Sequence, residues 1–121
     1  MFRVSGNQIT MTAGDTGIMA IVPKAGSYIP TPEDRAIFTV RERPGRRALI
    51  EKIIVPEESG EVIVPLDSAE TAKWRPREYA WDVRYALDVT TNTEGNLTDW
   101  REMVTPMDIG SLTILPEIGG A

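Results

Sequence analysis

Residues 79–89 read YAWDVRYALDV. Tyr79, Trp81, Val83, Tyr85, Leu87 and Val89 fall on one side of a period of two; Ala80, Asp82, Arg84, Ala86 and Asp88 fall on the other. Successive side chains of a β-strand point to opposite faces, so this alternation predicts one strand with an aromatic and aliphatic core face and a charged outer face. A helix would spread the same aromatics around its circumference. The strand is expected to run to about Thr90. It sets the fold class and carries no chemistry of its own.

Outward from that strand, composition bounds the answer. The 121 residues suit one domain, 1–121, long enough for a sizeable core. Hydrophobic residues make up 41% and charged residues 26%, an ordinary globular balance. Cysteine is absent, which removes disulfides and thiolate metal sites. Histidine is absent too, which removes the commonest general base and metal ligand. A net charge of −5 argues against nucleic acid or an anionic membrane as partner. No apolar run approaches the roughly 18 residues of a membrane span. Met1-Phe2-Arg3-Val4-Ser5 has no apolar leader pattern, so the chain is expected to be cytoplasmic at synthesis.

Proline and glycine punctuate the rest at short intervals, as in sandwiches and barrels. Strands are expected at Gln8–Thr12, Thr16–Val22, Arg35–Arg41, Ala48–Val55, Glu61–Leu66, Trp100–Thr105 and Ser111–Leu115. The segments 48–55 and 61–66 are expected to pair as a hairpin. Thr31-Pro32-Glu33-Asp34 predicts a single helical turn. Asp67–Lys73 predicts another, capped by Asp67 or Ser68 with Glu70 in the first turn. Asn92–Asn96 is a turn, and the glycine-rich tail 117–121 is expected to fray. The sum is all-β: about seven to nine strands, mostly antiparallel, in a two-sheet immunoglobulin-like β-sandwich with one short helical turn. A small barrel is the alternative.

Several residue groups invite a chemical reading. Asp15-Thr16-Gly17 matches the aspartic-protease signature, which with one copy per chain requires a homodimer sharing a carboxylate pair. Ile118-Gly119 could imitate that family's late apolar-glycine element. However, Asp15 follows Ala13-Gly14, a turn, and Ile18 replaces the small residue expected after the glycine. Asp15 is therefore expected to be structural, in a turn launching a strand. Glu33-Asp34 and Glu57-Glu58 are expected to be solvated loop acids. Asp67, Asp82 and Asp88 lack calcium-loop spacing and are expected to be solvated or salt-bridged. Arg41, Arg43, Arg46 and Arg47 form a basic patch around Pro44-Gly45; a charged hairpin tip is the simpler reading, an acidic-partner contact the other. Trp81 belongs to the core stripe. Trp74, Trp100, Met103 and Met107 border loops and are candidate partner contacts, though they could equally cap the core. No catalytic residue, metal or cofactor is assigned.

An ordered set of segments carries a family resemblance. Val4-Ser5-Gly6-Asn7-Gln8-Ile9-Thr10-Met11-Thr12 leads into Gly14-Asp15-Thr16. Then come Glu33 to Val40, Leu49-Ile50-Glu51-Lys52, Ile63-Val64-Pro65-Leu66, the Tyr79–Tyr85 strand, and the closing element from Thr105-Pro106 to Ile114. Together they resemble the N-terminal domain of phage baseplate upper proteins and related small prophage tail-region proteins. The resemblance spans about Val4 to Pro116. It implies a non-enzymatic β-sandwich that docks onto other tail or baseplate proteins, with a homo-oligomer as one form of that assembly, and a place in the virion. Many members of that family continue into receptor-binding regions, whereas this sequence stops at Ala121. The alternatives are an immunoglobulin-like or carbohydrate-binding module, and a homodimeric protease using Asp15.

Overall fold

The computed structural model describes residues 1–116; the tail at 117–121, with the Ile118-Gly119 pair, lies outside the described residues. The protein is all-β. Strands β1 (Phe2–Ser5), β2 (Gln8–Thr12), β3 (Gly17–Ile21), β4 (Arg35–Arg41), β5 (Ala48–Ile54) and β6 (Val62–Leu66) precede the one-turn helix α1 (Ser68–Thr71). Strands β7 (Glu78–Leu87), β8 (Thr90–Thr91), β9 (Leu97–Asp99), β10 (Glu102–Val104) and β11 (Gly110–Leu115) follow. The strand count exceeds expectation because β1, β8 and β9 are only four, two and three residues long, too short for an alternating pattern to stand out.

The large sheet has the order β1-β2-β11-β7-β4-β5, with β10 beside the far half of β7. Facing it is a sheet of only two strands, β3 and β6; β8 and β9 form a separate ribbon. The sandwich is therefore lopsided. Its pairings are antiparallel except β2 with β11, which run parallel. A parallel pair needs a long connection, and these two strands are separated by most of the chain.

The decisive stripe is buried: Tyr79, Trp81, Val83, Tyr85 and Leu87 are each 5% exposed or less. They join Ile9, Met11, Phe38, Val40, Leu112 and Ile114 of the same sheet against Met19, Val62, Val64 and Leu66 of the small one. Asp88, with φ 48°, ends β7 after Leu87, short of Thr90, and leaves Val89 half-buried.

The hairpin expected between residues 48–55 and 61–66 does not form. β5 pairs with β4, and β6 crosses to the other sheet to pair with β3. Both strands carry apolar stripes, and the stripe of β6 (Val62, Val64, Leu66) is buried as the opposing layer. Stacking across the core wins over local pairing. The expected helical turn is present. Asp67 Oδ1 accepts from Ala69 N (3.2 Å), and Glu70 Oε1 accepts from Asp67 N (3.0 Å), a reciprocal cap.

Candidate functional site

A lopsided sandwich leaves a seam. Among the described residues, β1 pairs only with β2 and β3 only with β6, so each presents an open edge. At one end the seam is closed by Phe2: a Cβ at Gly17 would lie 2.1 Å from the Phe2 ring, so glycine is required for that contact. At the other end the seam opens into a pit of about 170 Å³.

The floor of the pit is Trp81 and Tyr85 of β7. Trp81 is held rigidly. Its Nε1 donates to Asn7 O and to Ser111 O, each at 3.1 Å. Its indole lies against Gly110, where a Cβ would approach the ring to 2.5 Å and Asn7 O to 2.3 Å. Asn7 is carried by the Gly6-Asn7 turn between β1 and β2, with Gly6 at φ 59° as such a turn demands. Met19 and Ile21 of β3 and Met107 of the β10–β11 loop form the sides. Methionine is flexible and polarizable, which suits a wall that must adapt to an occupant. Val4, Val22 and Tyr28 stand at the mouth, exposed by 40%, 63% and 39%.

Tyr28 is fixed by a buried carboxylate. Asp34 is fully buried. Its Oδ2 accepts from Tyr28 Oη (2.6 Å) and Thr31 N (2.9 Å), and its Oδ1 accepts from Asp88 N (3.0 Å). Burial raises the Asp34 pKa, but the bonds from Tyr28, Asp88 and Thr31 outweigh it and hold the group below the usual carboxylate value. Tyr28 responds oppositely: desolvation and its bond to Asp34 push the phenol up to about 12. The expectation that Asp34 is solvated is thus corrected. The Thr31–Asp34 turn closes as expected, with Asp34 N on Thr31 O at 2.9 Å, but it folds its last acid inward to tie the 22–34 loop to the end of β7.

The residues proposed from sequence do not converge. Met107 lines the pit. Met103 lies in β10, half-buried opposite Ala86. Trp74 packs on Tyr79 with ring centroids 5.1 Å apart, near the start of β7. Trp100, 44% exposed, precedes Arg101, whose N donates to Leu87 O at the other end of that strand. At about 3.3 Å per residue, Tyr79 and Leu87 are roughly 26 Å apart, so Trp74 and Trp100 form no common platform. Asp15 lies in the turn before β3; its N donates to Thr12 O at 3.0 Å and its carboxylate meets the Met1 ammonium. Arg43, Arg46 and Arg47 are exposed at the β4–β5 tip, where Arg46 N donates to Arg43 O at 3.2 Å. Arg41 instead pairs with Asp82 at 2.8 Å, whose other oxygen is buried with no partner among the described residues. Asp88 pairs with Arg101 at 2.5 Å.

Sequence reading missed Tyr28, Lys24 and Gly110, and it placed Asp34 in solvent. The Gly6-Asn7 and Asp108–Gly110 punctuation was visible, but nothing in it announced that both would meet at Trp81. Among the described residues no grouping of acids could hold a metal ion, and no helix is long and apolar enough to cross a membrane. No protein-family model matches the chain, and no curated protein matches it.

Proposed function

We propose that this protein is a non-enzymatic docking module of a phage or prophage tail, acting in the baseplate or tail region through contacts with other tail proteins. The resemblance of its ordered segments to baseplate upper-protein N-terminal domains supports the reading. One structural observation carries it: an apolar pit floored by Trp81 and Tyr85, with a mouth of exposed Val4, Val22 and Tyr28. Partner surfaces are built this way, around an apolar socket enriched in aromatics and methionine. The pit is the size of one side chain: an engineered apolar cavity of about 150 Å³ takes benzene.

The test is capture. The tagged protein is presented to phage tail, tape-measure and baseplate proteins, and purified particles are probed for the chain. Capture of at least one of them, with the chain present in particles, is the expected result. Absence from particles together with capture of none removes the docking reading. Cleavage of a peptide library at acid pH that vanishes in Asp15→Asn would replace it with the protease.

A further inference from the structure

We infer that the open edge of β3 is a strand acceptor: an extended segment of a partner protein pairs with it and sets one bulky apolar side chain into the pit, with a carboxylate nearby facing Lys24. The inference rests on the docking reading above and names the chemistry of its partner.

The direction of the backbone groups follows from Pro65. In the β3–β6 ladder Ile18 lies opposite Pro65 and Ala20 opposite Ile63. Pro65 has no N–H, and its carbonyl accepts from Lys52 Nζ at 2.5 Å, on the side away from β3. Ile18 and Pro65 are therefore a non-hydrogen-bonded pair. Antiparallel pairs alternate in type along a ladder, so Ala20 and Ile63 are the same kind. The N–H and C=O groups of Ile18 and Ala20 consequently point to the open edge. Four backbone hydrogen-bonding groups line up there, and a strand added at a sheet edge uses such groups for affinity and adjacent pockets for selectivity.

The pit supplies the pocket. It runs beside Met19–Lys24, along that same edge, so a side chain from an added strand enters it over Trp81 and Tyr85. Its volume admits one residue of leucine or phenylalanine size. Among the described residues Lys24 is the one charged side chain lining it, and Lys24 makes no ion pair there. In a chain of net charge −5, an unpaired cation at an apolar mouth selects an acidic neighbour to the apolar anchor. Pro23 limits the acceptor to a few residues.

The experiment presents full-length phage tail and baseplate proteins to the wild type, Ala20→Pro, Lys24→Glu and Arg43→Ala. The Ala20 N–H faces out, so proline there removes an acceptor-edge donor at a position where edge strands tolerate it. The inference expects wild-type capture, loss of about tenfold or more in Ala20→Pro, a smaller loss in Lys24→Glu, and no change in Arg43→Ala. Amide exchange provides a readout independent of any variant's folding: Ile18 and Ala20 amides should exchange quickly in the free protein and slowly in the complex. Capture by the wild type with those amides left unprotected overturns the strand-acceptor inference while docking stands. Capture of nothing by the wild type removes docking itself. Concentration-dependent protection of Ile18 and Ala20 in the protein alone overturns the heterologous partner and makes the occupant a second copy.

Discussion

Strands β5 and β3 both end a sheet, and they expose themselves in opposite ways. β5 is the longer, Ala48–Ile54, and shows Leu49 and Ile53 to solvent at 46% and 49%. By apolar area alone it is the adhesive edge. Yet its Lys52 turns inward, bonded to Pro65 O and to Glu70 Oε1 at 2.6 Å. Two copies of β5 paired antiparallel about the middle of the strand would set Glu51 opposite Glu51, and the alternative register centred one residue along would set Lys52 opposite Lys52. Like charges directly opposite are destabilising, and inward charges on edge strands block pairing. β3, Gly17–Ile21, shows one large apolar side chain, Ile18 at 69%, carries no charge and lies beside a pit. Exposed hydrophobic area therefore does not identify the acceptor edge; an unguarded backbone next to a cavity does.

The largest expected effect tests the floor of the seam. Trp81→Ala should cost about 3–5 kcal/mol in urea unfolding, since it removes a fully packed aromatic and both of its hydrogen bonds. It enlarges the pit under β3 and leaves β5 untouched. A cost below about 1 kcal/mol would show that the floor is not the rigid element this comparison needs.

Next in size is the Asp34 latch, which ties the loop after β3 to the end of β7. Its folded-state pKa is lowered, so its contribution is fully present above the unfolded carboxylate value of about 3.9 and is lost as pH falls through the folded value. Tyr28 has the mirror behaviour: its phenol's contribution holds below about 10 and is lost as pH rises through about 12. Asp34→Asn should cost about 1–3 kcal/mol at neutral pH and flatten the acid limb of the stability curve. An acid limb identical to that of the wild type would mean that other carboxylates set it.

Lys52→Ile examines the guard on β5. Losing the half-buried pair with Glu70 should cost about 1–2 kcal/mol, and the variant should self-associate with rising concentration in light scattering where the wild type does not do so through this edge. An unchanged oligomeric state would show that Lys52 is not what keeps β5 apart, and the contrast between the edges would rest on β3 alone.

These features differ in how plainly the sequence displays them. The β7 stripe was legible because six large residues alternate without a break, and the caps of α1 because Asp67 and Glu70 lie three apart. The partnership of β6 was not legible. Val62, Val64 and Leu66 alternate in the same way whether the strand pairs with β5 or stacks across the core, and only the filled interior decides. Asp34 read as solvent-facing because its three donors, Tyr28, Thr31 and Asp88, include one 54 residues away. The pit was the least legible of all, since it is made by what the small sheet lacks. Trp74, Trp100 and Met103 had the composition of an interface, but composition does not say that β7 would hold the two tryptophans at its opposite ends.

The smallest expected effect belongs to the basic tip, the one sequence-proposed patch that the structure gathers in one place. Arg43, Arg46 and Arg47 are exposed and make no ion pair among the described residues. The turn they decorate is formed by Pro44 and Gly45, with Gly45 at φ 83°, and does not need their side chains. Replacing all three by alanine should therefore change stability by no more than about 0.5 kcal/mol. If β3 is the acceptor, the triple variant should also capture tail proteins as the wild type does. A long-range contribution would show differently: association would slow at low salt only, because exposed charges act over a Debye length of about 10 Å at 0.1 M salt. Should the triple variant instead lose capture at every salt concentration, the tip rather than the β3 edge would be the docking surface.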